Sequence, residues 1–371
     1  MALMIREGLY FVFSAMPFLT CLWWAVTLGM DLFPDKKSVA ASRAFFIFVL
    51  VSTLLYFCHF VHFNHDVYPD VTVFDGIWIF CTLAVYPLFG LWIRRLTVPA
   101  RKLRSSEYAV FLCPALLMSA ISFFLIYSGR GLCGFMPAVK MLFSLEVVLT
   151  LFFGIRSLRR FRRDVANYYS DTEGKELLPV RIMLVLLLCT SVFSLIFNVI
   201  GRELFSGSLM LGLPSCIFSV LLWSICHIGH KPIFDITDFQ REAGPEDADT
   251  ALGGIGSSGA QDLLLARIVH LMEEDRLYLK QGLTINDLAS AAGSNRTYVS
   301  NCINRKLGVS FSDYVASYRV KAAIRKLESG ADSRNLEQIG MECGFSGRAQ
   351  FYRSFKKETG MSPGSFLRIA T

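Results

Sequence analysis

The fold of this chain is decided by the stretch LTINDLASAAGSNRTYVSNCINRKLG at residues 283–308. Thr284 and Asp287 stand three residues apart, which is the spacing of a capping box at the start of a helix. After a glycine stop, Asn295 is a favourable N-cap for a second short helix, which another glycine ends. The stretch therefore predicts a helix-turn-helix unit at about 284–306.

The second helix of this unit is predicted to bury one face and to leave the other open. Val299 and Ile303 are four residues apart, so both side chains point toward the core. Taken alone, the polar face could equally be a solvated surface or a binding surface. It carries Arg296, Thr297, Ser300, Asn301 and Asn304.

A second stretch, LEQIGMECGFSGRAQFYRSFKKETG at residues 336–360, repeats the plan. Its first helix ends at a glycine, and Ser346 is the expected N-cap of the helix that follows. Phe351 and Phe355 have the spacing of inward-facing residues. These features predict a second helix-turn-helix unit at about 336–358. Its outward face carries Arg348, Ala349, Tyr352 and Arg353.

Two further helices are predicted around these units. Phe311 to Ser329 has the pattern of one amphipathic helix, which would fix the separation of the two units. Gln261 to Lys280 also has helical spacing and is either a packing helix of the same domain or a dimer contact. The domain is therefore expected to span residues 261–371.

Both units and the helix between them share an ordered pattern of residues. The pattern consists of Tyr314, Arg319, Val320, Ala323, Leu327, Gly344-Phe345-Ser346, Phe351, Phe355-Lys356, Gly360 and Ser362-Pro363. It resembles the AraC/XylS family of bacterial transcription regulators and covers about a quarter of the chain. This resemblance implies two recognition helices that enter successive major grooves on one face of DNA. By position, it implies that the base-reading residues are Thr297, Ser300, Asn301, Arg348, Ala349 and Arg353. Arg296, Asn304 and Tyr352 lie on the same faces and are also predicted to contact DNA.

The sequence departs from the family pattern at two positions. Asn301 stands where the family usually has arginine, and Gly340 stands where it usually has alanine. The first recognition helix therefore carries little charge. Asparagine can still pair with adenine through two hydrogen bonds, and Arg348 or Arg353 can pair with guanine in the same way.

Composition separates this C-terminal region from the rest of the chain. Of 371 residues, 53% are hydrophobic and 32 are Phe, which is too apolar for an ordinary soluble protein. Residues 261–371 contain 16 basic and 11 acidic residues, a balance that suits a polyanionic partner such as double-stranded DNA. The 10 cysteines show no C-x-x-C motif, and no disulfide framework is expected.

The first 230 residues contain seven apolar spans, each long enough to cross a bilayer as a helix. They lie at about 8–30, 44–63, 73–93, 108–127, 135–155, 180–200 and 209–229. The expected fold class is therefore all-α, with a seven-helix transmembrane domain (1–230), a linker (231–260) and the DNA-binding domain.

Basic residues in the connections predict the orientation of the bundle. One set of alternate connections carries 15 of them: Lys36, Lys37, Arg43, Arg94, Arg95, Arg101, Lys102, Arg104, Arg156, Arg159, Arg160, Arg162, Arg163, Lys175 and Arg181. The other set carries only Arg6, Arg130 and Arg202. The positive-inside rule then places the N-terminus outside and the DNA-binding domain in the cytoplasm. The expected location is the inner membrane of a bacterium, in a multi-pass arrangement with the lipid bilayer as a partner.

The linker at 231–260 is rich in Gly, Ser, Asp and Glu and is expected to be flexible. A random coil of this length has a root-mean-square reach of about 30 Å, so the DNA-binding domain would stay near the membrane. A flexible tether transmits torque poorly. Signal-dependent formation of a homodimer, which raises the effective concentration of the DNA-binding domain, suits such a tether better.

A sensing role would need a pocket within the bundle, because the outer connections are too short to fold on their own. The candidate residues are Glu146, Asp75, His59 and His62. Glu146 is the deepest of these polar residues, and the alternative for such residues is contact between helices or snorkelling. His59, His62 and His65 have spacing that allows a metal site or a pH sensor, or they simply anchor the chain at the interface. No cofactor or metal is expected.

Two functions of different classes follow from the sequence. The first is a membrane-integral transcription regulator, with the bundle as a sensor of a small molecule, lipid or membrane protein, or as a tether. The alternative is a metal-dependent membrane enzyme or transporter with an appended autoregulatory DNA-binding domain, which metal analysis would distinguish. A regulator that is not an enzyme is expected, because the chain has no P-loop, G-x-S-x-G or H-E-x-x-H motif.

Overall fold

The structure is a computed structural model, and within the residues that it describes the chain is helical with no β-strand. The described residues are 2–31, 39–64, 72–98, 105–175, 177–200, 209–231, 233–234, 236–243, 258–329 and 336–370. The predicted all-α fold class is confirmed. The chain forms two compact units. Unit 1 comprises Met1–Arg159 and Leu177–Thr237, and unit 2 comprises Arg160–Glu176 and Asp238–Thr371.

Unit 1 is built from long apolar helices. In chain order they are α1 (Ala2–Asp31), α2 (Val39–Phe63), α3 (Thr72–Thr97), α4 (Ser105–Tyr127), α5 (Met136–Tyr168), α6 (Leu178–Ile200) and α7 (Gly212–His230). The last turns of α5, from Arg160, belong to unit 2. Every predicted span therefore falls on a helix.

Five helical segments of the described chain are long and apolar enough to cross a membrane. They are Ile5–Met30, Ala41–Phe63, Val73–Thr97, Met136–Tyr168 and Gly212–His230. The two other predicted spans coincide with shorter apolar segments, Phe111–Tyr127 and Leu178–Ser194. The count of seven spans therefore stays a prediction. Several of the basic residues used for the orientation, such as Lys36, Lys37 and Arg202, lie outside the described residues.

Helix α3 lies at the centre of unit 1. In its most apolar stretch of 18 residues 78% of the residues are buried, and the helix packs against both α2 and α4. Polar side chains join it to its neighbours. The Tyr86 hydroxyl is 2.6 Å from Ser191 Oγ of α6, and Thr150 Oγ1 of α5 donates to the Tyr86 carbonyl at 3.3 Å. Ser119 Oγ of α4 donates to the Gly76 carbonyl. Such bonds stabilise helix pairs in surroundings that offer no water.

The surface of unit 1 is apolar as well as its interior, unlike the surface of a water-soluble bundle. Large apolar side chains are widely exposed, including Trp23, Phe124, Met141 and Leu213. Hydroxyl groups are buried among the apolar core residues, including Ser14, Ser52, Thr53, Ser122, Thr190, Ser191, Ser215 and Ser219. An apolar surface of this extent is typical of a protein that faces lipid or a large partner.

Unit 2 contains the C-terminal helices. They are α8 (Ile236–Ala243), α9 (Ser258–Glu273), α10 (Ile285–Ala291), α11 (Arg296–Asn301), α12 (Phe311–Glu328), α13 (Leu336–Glu342), α14 (Arg348–Thr359) and α15 (Pro363–Ala370). A 3-10 turn at Leu277–Leu279 follows α9. Helix α12 matches the amphipathic helix that was predicted between the two helix-turn-helix units.

The predicted flexible linker needs a correction at its N-terminal end. Residues 236–243 form helix α8 because Phe239 packs against the rings of Phe161, Tyr168 and Tyr169, which composition alone does not reveal. Ser258 and the following residues belong to α9. The residues between these helices, 244–257, lie outside the described residues.

Candidate nucleic-acid interface and bundle cavity

The capping box predicted at the start of α10 is present. The Asp287 amide donates to Thr284 Oγ1 at 3.2 Å, and the Thr284 amide donates to Asp287 Oδ2 at 2.8 Å. Burial alone would raise the pKa of the Asp287 carboxyl, but hydrogen bonds from Lys280 and Thr284 hold that pKa below its ordinary value. The box therefore stabilises α10 at neutral pH, and this contribution is lost as the pH falls through the lowered pKa.

Helix α11 is the first candidate recognition helix, and Asn295 caps it as predicted. Asn295 Oδ1 accepts a hydrogen bond from the Tyr298 amide at 2.9 Å. The predicted core residues Val299 and Ile303 are fully buried. Past Asn301 the helix widens into a π-helical segment, Cys302–Leu307, in place of the continuous α-helix that was predicted.

Helix α14 is the second candidate recognition helix. The prediction of Ser346 as its N-cap is wrong: Gly347 occupies that position, with no side-chain cap. Because the helix begins one residue later than predicted, the Ser346 hydroxyl lies 3.5 Å from Gln350 Oε1 instead of bonding to a helix amide. Phe351 and Phe355 are fully buried, with ring centroids 5.7 Å apart, as predicted.

The nine residues predicted to contact DNA fall into two groups by exposure. On α14, Arg348, Ala349 and Arg353 are exposed, and the Arg348 guanidinium lies 5.1 Å above the half-buried Tyr352 ring. The five residues on and after α11 are all half-buried: Arg296, Thr297, Ser300, Asn301 and Asn304. Helix α14 thus presents a more accessible cationic face than α11 does.

Two residues far upstream in the chain contact these helices, and neither contact was predicted from the sequence. The Arg296 guanidinium lies 5.9 Å above the Tyr168 ring, and Arg353 Nη2 lies 3.9 Å from Glu173 Oε2. Neither Tyr168 nor Glu173 belongs to a sequence pattern that would have indicated this contact.

Comparisons with known proteins agree with the geometry of unit 2. Residues 288–369 match a family model described as a helix-turn-helix domain. The C-terminal part of the chain is an AraC-type helix-turn-helix domain. The residues on which the resemblance rested lie in α12, in the turn before α14, in α14 itself and directly after it.

Relatives of the AraC-type domain are transcription regulators. The melibiose operon regulatory protein of Escherichia coli K12 is 31% identical over 90 residues, 24% of this chain and 29% of that protein. Two uncharacterized HTH-type transcriptional regulators of Bacillus subtilis are also similar. YtdP is 29% identical over 99 residues, which are 27% of this chain and 12% of that protein. YisR is 32% identical over 96 residues, which are 25% of this chain and 32% of that protein. The matches thus span less than a third of each relative's length. No solved structure matches the chain.

A cavity of about 130 Å³ lies within unit 1, between α1, α2, α3, α5, α6 and α7. Its walls combine aromatic rings with hydroxyl groups and the exposed Lys140. They include Tyr56, His59, Trp78, Thr82, Tyr86, Phe143, Thr190, Ser194 and Phe218. Thr82 Oγ1 is buried without a hydrogen-bond partner among the described residues. The volume resembles that of cavities known to hold a benzene-sized molecule.

The four candidate sensing residues occupy three different places in unit 1. His59 lines the cavity, where its Nε2 accepts a hydrogen bond from Trp78 Nε1 at 3.2 Å. His62 Nδ1 lies 3.5 Å from Asp75 Oδ1, so these two residues form a pair. Glu146 is buried, but it is absent from the cavity wall, and neither carboxylate oxygen has a hydrogen-bond partner among the described residues.

Within the described residues, no three His, Cys, Asp or Glu side chains lie close enough together to hold a metal ion, as the metal hypothesis would require. His65, the third histidine of the spacing, lies outside them. His59 and His62 are engaged by Trp78 and Asp75 instead, so the structure assigns these two side chains to contacts within the bundle.

Proposed function

We propose that this protein is a membrane-integral transcription regulator that binds specific duplex DNA sequences through two helix-turn-helix units. The observation that carries the proposal is the pair of recognition helices, α11 and α14, joined through the single helix α12. The relatives of this domain are named as transcription regulators, and the proposal extends that role to this chain. The net charge of +5 on residues 261–371 favours a polyanionic ligand.

The membrane location is supported by the apolar surface of unit 1. Five candidate spans, exposed apolar side chains and buried hydroxyls suit a helix bundle in lipid. We propose seven spans with the N-terminus outside, because the basic residues then lie on the cytoplasmic side together with the AraC-type domain.

The DNA-binding proposal predicts a sequence-dependent loss when Arg353 is replaced. Arg353→Ala should cost about 1–3 kcal/mol of binding free energy at one base step, because an arginine that reads guanine loses two hydrogen bonds. The measurement is fluorescence anisotropy of the full-length protein in nanodiscs with a duplex that it selects from a randomised pool.

The matched control is Arg325→Ala, which removes an exposed arginine from α12 outside the recognition helices. Its affinity for the selected duplex should stay within about twofold of the wild type, the size expected for one distant charge. An equal loss for Arg353→Ala on selected and scrambled duplexes would show that Arg353 contacts only phosphate. Affinity that does not fall with added salt would contradict the proposal as a whole.

We propose that the bundle is a sensor and not merely a tether, because its aromatic-walled cavity contains the Thr82 hydroxyl, which has no hydrogen-bond partner among the described residues. A bundle that only anchored the protein would have no need of such a cavity. The expected ligand is a small molecule with an apolar body and one hydrogen-bonding group, which Thr82 would bind. Its entry into the cavity would change the output of the DNA-binding unit.

Filling the cavity should remove the response while leaving the protein in place. In Thr82→Phe, the added ring occupies the ligand space, so transcripts of genes at the bound sites should no longer vary between growth conditions. The measurement is genome-wide mapping of bound sites together with transcript levels. Leu116→Phe, at a side chain that is 58% exposed, is the control and should respond like the wild type. Equal variation in all three strains would favour the tether.

A further inference from the structure

The segment between α5 and α6 belongs to the DNA-binding unit, although it lies more than a hundred residues before the AraC-type domain in the chain. We call residues 168–175, from the last residue of α5 to Lys175, the strap. Tyr168, Tyr169 and Ser170 are buried, Ser170 completely. A connection on the surface would normally be exposed, so the burial indicates a specific docking.

Ser170 anchors the strap to three parts of the unit. Its amide donates to the Leu283 carbonyl at 3.0 Å, just before α10. Its carbonyl accepts from Gln350 Nε2 of α14 at 2.9 Å and from Ser312 Oγ of α12 at 3.2 Å. Arg319 Nη2 lies 3.4 Å from Ser170 Oγ. One buried residue thus bonds to both helix-turn-helix units and to the helix between them.

The ends of the strap touch both candidate recognition helices. On the α11 side, the Tyr168 ring lies under the Arg296 guanidinium, and its hydroxyl accepts from Asn286 Nδ2 at 3.0 Å. On the α14 side, the Glu173 carboxylate lies 3.9 Å from Arg353 Nη2. Both arginines are among the residues predicted to contact DNA.

The position of Glu173 bears directly on DNA binding. A Cβ atom built on Gly347, the N-cap of α14, would lie only 3.5 Å from Glu173 Oε2. The carboxylate therefore stands at the N-terminus of a 12-residue helix, where the helix dipole and free amides favour an anion. A DNA phosphate is attracted to the same place, so Glu173 and a phosphate would compete for it.

Helix α8 holds the strap from its other side. Glu242 accepts hydrogen bonds from Lys175 Nζ at 2.8 Å and from the Tyr169 hydroxyl, while the Tyr168 hydroxyl donates to the Glu242 carbonyl at 2.9 Å. Lys175 Nζ also lies 3.5 Å from the Tyr169 ring centroid. These contacts make the docked strap a defined structure and not a loop in passing contact.

We infer that the strap is an intramolecular inhibitor of DNA binding: its docked form holds Arg296 and Arg353 and places a carboxylate at the N-terminus of the second recognition helix. The inference rests on the proposed function. Base reading by Arg353 requires that the contact with Glu173 be given up. Because the strap continues into α5 and α6, the chain itself connects this contact to the bundle, and a signal that undocks the strap would raise DNA affinity.

Hydrogen exchange of the full-length protein in nanodiscs provides the first test. Linkage is reciprocal, so a strap that opposes DNA binding must itself be weakened by DNA. Exchange of the Ser170 amide should therefore become faster by about 5- to 150-fold when the selected duplex saturates the protein. Slower exchange, or no change, would overturn the inference. The strap would then be a permanent scaffold that aligns the two helix-turn-helix units.

A charge-neutralising variant provides the second test and leaves the anchor at Ser170 intact. Glu173→Gln should tighten binding of the selected duplex by about two- to fivefold, as expected for an exposed ion pair. This gain should be smaller in the Arg353→Ala background, because only the competition of Glu173 with a phosphate at the N-terminus of α14 then remains. The matched control is Glu328→Gln, which removes the same charge from the exposed end of α12.

The outcomes separate this inference from the proposed function. Equal gains for Glu173→Gln and Glu328→Gln would reflect net charge alone and overturn the inhibitory role of the strap. Unchanged or weaker binding by Glu173→Gln, with the wild type still binding DNA, would overturn it as well. Failure of the wild type and every variant to bind any duplex would overturn the proposed function itself.

Discussion

Replacement of Arg319 by alanine is expected to destabilise unit 2 by about 3–5 kcal/mol, because two buried carbonyls lose their donor at about 1–3 kcal/mol each and a cavity remains. Arg319 is fully buried in α12. Its Nε donates to the Tyr278 carbonyl at 2.7 Å, and its Nη2 donates to the Lys280 carbonyl at 2.8 Å. Burial lowers the pKa of Arg319 to about 10, so the side chain remains a charged donor at neutral pH.

The measurement is the free energy of opening of unit 2, obtained from hydrogen exchange of α12 amides in the full-length protein. Arg325→Ala is the control on the same helix, where an exposed arginine should contribute no more than about 0.5 kcal/mol. A loss below about 1 kcal/mol for Arg319→Ala would mean that the turn at Tyr278 keeps its structure without this donor.

Gly344→Ala is expected to destabilise the same unit by about 3 kcal/mol or more, since it combines a strained backbone with a steric clash. Gly344 has a φ of +91°, and a Cβ atom there would lie 2.6 Å from the Tyr278 carbonyl oxygen and 2.9 Å from the Leu279 carbonyl oxygen. Both contacts are with backbone, which cannot move aside as a side chain can. The same hydrogen-exchange measurement applies.

Gly360→Ala isolates the conformational part of this effect. Gly360 has a similar φ of +80° at the end of α14, but a Cβ atom there would meet nothing within 4 Å. Its replacement should therefore cost only about 1 kcal/mol. Equal losses at the two glycines would show that backbone strain alone matters and that the approach of Gly344 to the turn at Tyr278 is relaxed in solution.

Both predictions concern the same turn, which connects α9 to the first helix-turn-helix unit. Arg319 binds the Tyr278 carbonyl from α12, and Gly344 approaches it from the turn between α13 and α14. The turn is therefore the place where the two helix-turn-helix units and the helix between them meet. This explains why the pattern quoted for the family resemblance contains both a buried arginine and a glycine.

Local features of the domain could be predicted because they depend on neighbours in the sequence. The capping box at Thr284 and Asp287 and the cap at Asn295 need only residues within one helical turn, and both are present. Ser346 was mistaken for a cap because a serine one residue before the true N-cap has the same local pattern. In the structure the helix begins at Arg348, with Gly347 at the N-cap, and Phe351 is fully buried.

The manner in which the apolar helix bundle is joined to the unit that contains the AraC-type domain could not be predicted. Composition indicated a single flexible tether at 231–260 and hence weak mechanical coupling. The structure instead places residues 160–176 within unit 2 and forms α8 inside the predicted tether. Ser170 binds through its backbone amide and carbonyl, which every residue other than proline possesses. No pattern of side chains could therefore have marked it.

Residue patterns were sufficient to predict the helical fold class, the two helix-turn-helix units, the helix between them and the apolar helices of the bundle. These follow from periodicity and capping, which act over a few residues. The docking of the strap on both candidate recognition helices and the cavity inside the bundle could be seen only in the three-dimensional structure. Both depend on groups that are distant in the chain, such as Ser170 and Gln350, 180 residues apart, and packing alone brings such groups together.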